Sequence, residues 1–304
     1  REIDAAIQKR LAEGAKLLVD SGVTVTINST RVFAGYYQIF SGSGTVSGFA
    51  KSGGVHPQWW GAIVNDGNDD SSAIQKAANA CPVLFLSSGT YNVNSAINFN
   101  TQTALGHSVS MTGQGSSSTV ISVANSITAF SFTANGEGNM ICVDGISFNG
   151  SNKSSTALNF YGTYAGNVYN CNFQYLAWGV KMQNAGDSHF TNNTSNHNDI
   201  CYEILSGSMF IYFDNCVNTA SRIFTKCDVP SSGGVSNGLF FSNCASYNNT
   251  GEDLYITENQ TVFVDLCTFT GGTGGAASIY FYNDCDIRIT NSTISSNSST
   301  RDGI

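Results

Sequence analysis

A short pattern returns seven times in the second half of this chain, at intervals of about two dozen residues, and it restricts the fold more than anything else in the 304 residues. Each copy has an apolar residue, any residue, Asn in five of the seven cases, and then a small or apolar residue. The copies lie at 143–148, 168–173, 190–193, 213–216, 241–244, 264–269 and 289–294, with their fourth residues at 146, 171, 193, 216, 244, 267 and 292. Successive spacings are 25, 22, 23, 28, 23 and 25. A period of this size is one turn of a solenoid, whose repeats bury their apolar faces only by stacking on their neighbours. It is shorter than the helical repeats, and the signature of the leucine-rich repeat is missing. Strands stacked at about 4.8 Å with alternate side chains turned inward satisfy the pattern. The chain is therefore expected to be all-β, a single-stranded parallel β-helix.

The register also explains the cysteines. Cys171, Cys216, Cys244 and Cys267 share the fourth position and are expected inside as a column of thiols rather than disulfides. Asn170, Asn192, Asn215, Asn243 and Asn291 share the third, where stacked amides can satisfy the backbone of a turn. None of the nine cysteines forms a C-x-x-C pair, and His56, His107, His189 and His197 have no zinc-binding spacing. Structural roles are expected for these histidines, with no metal and no other cofactor.

Only 11% of residues are charged, so solubility rests on Asn, Ser, Thr and Gly, residues of turns and strands rather than helices. A net charge of -8 with 13 Lys and Arg leaves no basic stripe for phosphates, which argues against nucleic acid as a partner. A neutral or cationic glycan suits this balance better. The sequence has no apolar run of membrane-spanning length, so no membrane partner is expected. The N-x-S/T matches are attributed to chance in a chain so rich in Asn, Ser and Thr.

Three segments follow from the pattern: 1–56, 57–141 and the coils of 142–304. In the first, Ile3, Ile7, Leu11, Leu17 and Leu18 recur at helical intervals, predicting an amphipathic helix over 2–19 ended by Gly22. Alternation over 23–46 then predicts short strands. In the second, Trp59, Trp60 and Gly61 precede Asp66, Gly67, Asp69, Asp70, Ala73, Ile74 and Gln75, and a strand ends in Gly89, Thr90 and Tyr91. Asp69 or Asp70 is placed to cap a helix running to about Ala80, with a catalytic or Ca²⁺ role for Asp66, Asp69 and Asp70 as the sharper alternative. This D-G-x-D-D-x-x-A-I-Q element with its G-T-Y strand resembles the lead-in of the pectate-lyase-like right-handed β-helix superfamily. The resemblance implies a right-handed coil behind a short helical and stranded N-terminal module.

Each coil has a further strand, beginning at Leu158, Val180, Ile200, Ile223, Leu254, Ile279 and Ile304. Alternation turns outward the residues just before, one after and three after each start. The first outward column reads Ala157, Gly179, Asp199, Arg222, Asp253, Ser278. The second reads Asn159, Lys181, Cys201, Phe224, Tyr255, Tyr280, and the third Tyr161, Gln183, Glu203, Lys226, Thr257, Tyr282. Glycoside hydrolysis generally uses two carboxyl groups. Asp199 and Asp253, two coils apart in one column, would stand about 9.5 Å from each other and form the preferred catalytic pair. Glu203, about 13 Å along its strand from Asp199, is the alternative acid. Phe224, Tyr255, Tyr280 and Tyr282 offer aromatic surface for sugar rings, and Lys181, Arg222 and Lys226 could neutralise uronate carboxylates. The competing reading makes Arg222 and Lys226 cross-strand ion-pair partners of Asp199, Asp253 and Glu203.

Within the superfamily, the N-terminal helix, the Trp-Trp-Gly element and the Asn-rich coils most resemble bacteriophage tailspikes and capsule depolymerases. That resemblance implies an endo-acting hydrolase, or less favourably a lyase, acting on bacterial capsule or O-antigen as a homotrimer on the virion tail. The alternatives are a non-catalytic receptor-binding spike and a secreted bacterial protein. A further strand due at Ile304 implies coils continuing beyond the last residue.

Overall fold

A computed structural model describes residues 14–28, 32–49, 53–100, 108–134, 140–228, 238–257, 261–272, 277–282 and 285–295. Three parallel sheets run the length of the coil, and every turn of chain visits each in order. Sheet I starts with Val83–Phe85 and finishes with Asp286–Thr290 in nine strands. Sheet II runs from Gly89–Val93 to Thr293–Ile294, also in nine, and sheet III from Ile97–Asn100 to Ile279–Tyr282 in eight. This is the parallel β-helix expected from the repeat. The seven repeat positions fall in register at the start of sheet II, where Ser147, Asn172, Thr194, Val217, Ala245, Thr268 and Thr293 pair in succession.

The interior follows from that register. Under sheet I, Val143, Val168, Phe190, Phe213, Phe241 and Val264 stack rung on rung, and the Phe213 and Phe241 rings lie 4.8 Å apart and 5° from parallel. Each such buried side chain stabilises the fold by roughly 1.5–3 kcal/mol. Cys171, Cys216, Cys244 and Cys267 are all buried thiols, none in a disulfide, as their position predicts. Burial pushes the Cys171 thiol up to about 12, so it stays protonated and unreactive.

Asparagine does a different job outside. Asn170, Asn192, Asn215, Asn243 and Asn291 each take a left-handed backbone, φ 49 to 55°, which Asn tolerates better than other side chains. Their amides bond along the coil: Asn192 donates to Asn170 at 3.3 Å, Asn215 to Asn192 at 2.7 Å and Asn243 to Asn215 at 3.2 Å. Leu266 interrupts the series with the same backbone and a side chain 58% exposed. Asp265 bridges the gap by accepting from Asn291 at 3.0 Å.

The lead-in departs from expectation in two places. Of the helix predicted over 2–19, residues 1–13 lie outside the described residues, and Leu17–Leu18 is a strand paired parallel to Phe40–Ser41. Pairing with a neighbouring rung overrides a helical period that ends in only two leucines. The helix Ser71–Ala80 is present, and Asp69 accepts the Ser71 N–H at 3.0 Å. Asp70 caps nothing with its side chain. It accepts from the Ile63 and Asn92 amides at 2.9 and 3.0 Å, tying the lead-in to the first coil. Burial raises its pKa against those two hydrogen bonds.

Candidate functional site

Chemistry concentrates on the outer face of sheet III. One register position there carries Asn159, Lys181, Glu203, Lys226, Tyr255 and Tyr280 on successive coils. Glu203 is held between two ammonium groups, with Lys181 Nζ 3.1 Å from Oε2 and Lys226 Nζ 3.6 Å from Oε1. Its side chain is only 8% exposed, so the pair of lysines supplies the compensation that a buried carboxylate requires. Lys226 reaches a second carboxylate as well, Asp228 Oδ2 at 2.9 Å, and Thr257 donates to the other Asp228 oxygen at 3.3 Å. Two oxygens 3.6 and 2.9 Å from one nitrogen can be no more than about 6.5 Å apart, so Glu203 and Asp228 face each other across a single cation. Burial alone would lower the Lys226 pKa. The hydrogen bond to Asp228 and the charges of Asp228 and Glu203 outweigh burial and raise it, which keeps the ammonium protonated.

Aromatic groups border this strip. Lys181 Nζ lies 4.3 Å from the centre of the Trp178 ring, a cation–π contact that fixes one edge. At the other end Tyr255 and Tyr280 stack at 5.0 Å and 10°, each covering one face of the other. Tyr280 and Tyr282 are 39% and 53% exposed. Asp199 and Arg222 form a separate pair at the rim, Nε to Oδ1 2.5 Å and a second guanidinium nitrogen to Oδ2 3.1 Å. That hydrogen bond raises the Arg222 pKa.

The expected columns are corrected in two coils. Val180 pairs with Tyr202 and Tyr202 with Thr225, two residues beyond the starts assigned at Ile200 and Ile223. Phe224, expected outward for sugar contact, is fully buried, as is Cys201. Glu203 moves into the lysine column. Asp253 leaves the surface altogether: it follows Phe224 in register rather than Arg222 and has no exposure. Asp199 and Asp253 therefore share no column, and the proposed pair has no geometric basis. The cause is the corner between sheets II and III, where alternation breaks and Ala157, Cys201, Phe224, Asp253 and Ser278 all turn inward. Tyr202 and Thr225, buried yet carrying hydroxyls, do not read as core in a sequence.

Inside this corner Asp253 accepts from Asn249 Nδ2 at 2.7 Å and from the Gly271 N–H at 2.8 Å. Asn249 in turn accepts from Asn218 at 2.8 Å. Burial pushes the Asp253 carboxyl up to about 6 despite these donors. Asp228 and Trp178 were absent from the sequence-derived site. Asp228 stands two residues after Lys226, at the same parity, and only the corrected register gives that spacing meaning. Among the described residues no group of His, Cys, Asp and Glu is arranged to hold a metal ion, and no helix is long and apolar enough to cross a membrane.

No protein-family model matches the chain, and no curated protein matches its sequence. Solved structures do. The A-module of mannuronan C-5 epimerase AlgE6 from Azotobacter vinelandii aligns over 79% of this chain and 76% of its own, at 15% identity and TM-score 0.59. The catalytic unit of a GH87 alpha-1,3-glucanase from Streptomyces thermodiastaticus aligns over 80% and 54%, at 14% identity and TM-score 0.52. ORF18 of Geobacillus virus E2 aligns over 79% and 60%, at 14% identity and TM-score 0.50. The chain is a parallel β-helix of their kind. It spans just over half of the glucanase unit and three fifths of the viral protein. At such identities the shared property is the β-helix fold, which hosts more than one chemistry.

Proposed function

We propose that this β-helix is an endo-acting depolymerase of bacterial surface polysaccharide, capsule or O-antigen, working by hydrolysis. The observation that carries this reading is the pair of carboxylates, Glu203 buried and Asp228 half-exposed, flanking one lysine within about 6.5 Å on a face bordered by tyrosines. Glycosidases place two carboxyl groups about 5–5.5 Å apart for retention and about 6.5–9.5 Å for inversion, and the upper limit set by Lys226 admits the retaining range and only the lower edge of the inverting one. Glu203, clamped by two cations, and Asp228, nearer solvent, are the two carboxyl groups this reading assigns to the reaction. Lys226 is held protonated, which suits binding a sugar oxygen and not the abstraction of a proton, so hydrolysis is favoured over elimination. Fold neighbours that include a glucanase and a mannuronan epimerase support a carbohydrate substrate. Assembly as a homotrimer on a virion tail belongs to the same reading, with a secreted bacterial protein as its alternative.

A second reading, a spike that binds glycan without cutting it, is favoured by the pairing of each charge in the strip. Purified protein incubated with capsule, O-antigen, mannuronan and α-1,3-glucan separates them. New reducing ends without ultraviolet absorbance of unsaturated uronate support hydrolysis, and absorbance supports elimination. Binding with neither supports the spike, and no binding to any of the four glycans removes both readings.

A further inference from the structure

The turn from sheet II to sheet III repeats a left-handed residue directly after the strand on four successive coils, as the Asn turn does, but with other side chains: Tyr175, His197, Ala220 and Asn248, φ 53 to 56°. Asn or Gly meets this backbone at least cost, and Asn248 shows that Asn is accommodated in this very column. On two consecutive coils the position is instead Tyr and His, both exposed, Tyr175 by 43%. Their rings stack at 5.1 Å and 17°, each covering one face of the other. On the next coil the same position is Ala220, and one methyl group cannot cover the second imidazole face. Asp199 lies two residues after His197 and Arg222 two after Ala220, so the bidentate pair they form stands at this same rim. Trp178, three residues after Tyr175, joins the rim to the Lys181–Glu203–Lys226 strip.

Resting on the depolymerase reading, we propose that the slot above Ala220 is a sugar subsite of the same groove. One pyranose ring of the glycan packs its C–H face on His197, backed by Tyr175, while its hydroxyls bond to Asp199 and Arg222. Backbone strain at an aromatic pair is retained where the side chains serve binding. Asn would relieve that strain, so the proposal opposes stability to binding in a way that a purely structural stack does not.

The test measures KM, kcat and Tm on whichever of the four glycans the wild type cleaves, or Kd where it binds without turnover. His197→Asn is expected to raise KM or Kd about tenfold, the loss of one stacking contact, with kcat and Tm maintained. Ala220→Tyr extends the stack into the slot and is expected to do the same from the opposite direction, by adding a side chain. KM within twofold of wild type for both folded variants, while Glu203→Gln abolishes turnover, overturns the subsite and leaves the depolymerase reading standing. A wild type that neither binds nor cleaves any of the four overturns both. Loss of Tm in His197→Asn with KM unchanged in Ala220→Tyr marks the stack as structural and also overturns the subsite.

Discussion

Sheets I and III are built on the same rungs, yet their outer faces solve different problems. On sheet I, His189, Tyr212, Phe240 and Phe263 stack in one column at 4.6 to 5.0 Å, all within 11° of parallel, and Arg288 closes it 5.5 Å from the Phe263 ring. Like side chains satisfy one another there, and the ring faces are used up within the column. On sheet III the equivalent column alternates Lys181, Glu203 and Lys226 before reaching its tyrosines. Charges so arranged are held at fixed heights, with Lys181 and Lys226 partly exposed and Glu203 buried between them. The interiors differ in the same sense: beneath sheet I the column is apolar, whereas the corner leading into sheet III buries Asn218, Asn249 and Asp253. Stacking alone makes a stable face, and the face that gives up stacking for charge is the one to which the proposed chemistry is assigned.

The largest effect should come from breaking the charged column. Glu203→Gln keeps the shape and removes the charge, and turnover of the folded variant is expected to fall by about 10²–10⁴, measured by reducing-end release, while thermal melting shows a lower Tm because Lys181 loses its carboxylate. Next is the buried corner. Asp253 has a folded pKa of about 6 against 3.8 unfolded, so its contribution is fully present below pH 3.8 and is lost as pH rises through 6. The wild type should therefore lose about 3 kcal/mol between acid and neutral pH from this group. Denaturant melts across that range should show the slope flattened in Asp253→Asn, apart from a constant cost of turning an amide toward a donor. An unchanged slope would refute the assignment. Third, Phe240→Ala removes two stacked contacts from sheet I and should cost about 1–3 kcal/mol in the same melts while leaving turnover within twofold. A large loss of turnover in that variant would erase the distinction between the two faces. The smallest effect is a gain: Leu266→Asn restores the amide series between Asn243 and Asn291 on a left-handed backbone and should stabilise by about 0.5–1 kcal/mol.

Legibility in the sequence follows how much each position repeats. The Asn and thiol positions that open sheet II recur with similar residue types, and all seven fell in register. Sheet III has no such marker. Its inward residues change from Leu158 to Val180, Tyr202, Thr225 and Leu254, and in two coils the strand does begin at the isoleucine the sequence marks, Ile200 or Ile223, but two residues before that rung position. A shift of two keeps the inward and outward parity, so nothing local betrays it. It still moved Glu203 into the wrong column and paired Asp199 with Asp253. Lys181, Glu203, Lys226, Tyr255 and Tyr280 survive as a connected face, whereas Phe224 and Asp253 do not.

Sequence by itself determined the solenoid, its period, its buried thiols and its asparagine turns, because each of these is a local demand repeated once per coil. Only the tertiary structure decided which charges meet. A column across the sheet joins residues more than twenty positions apart, and its membership depends on how many residues each corner consumes, set by packing in the corner rather than by any local preference of the chain.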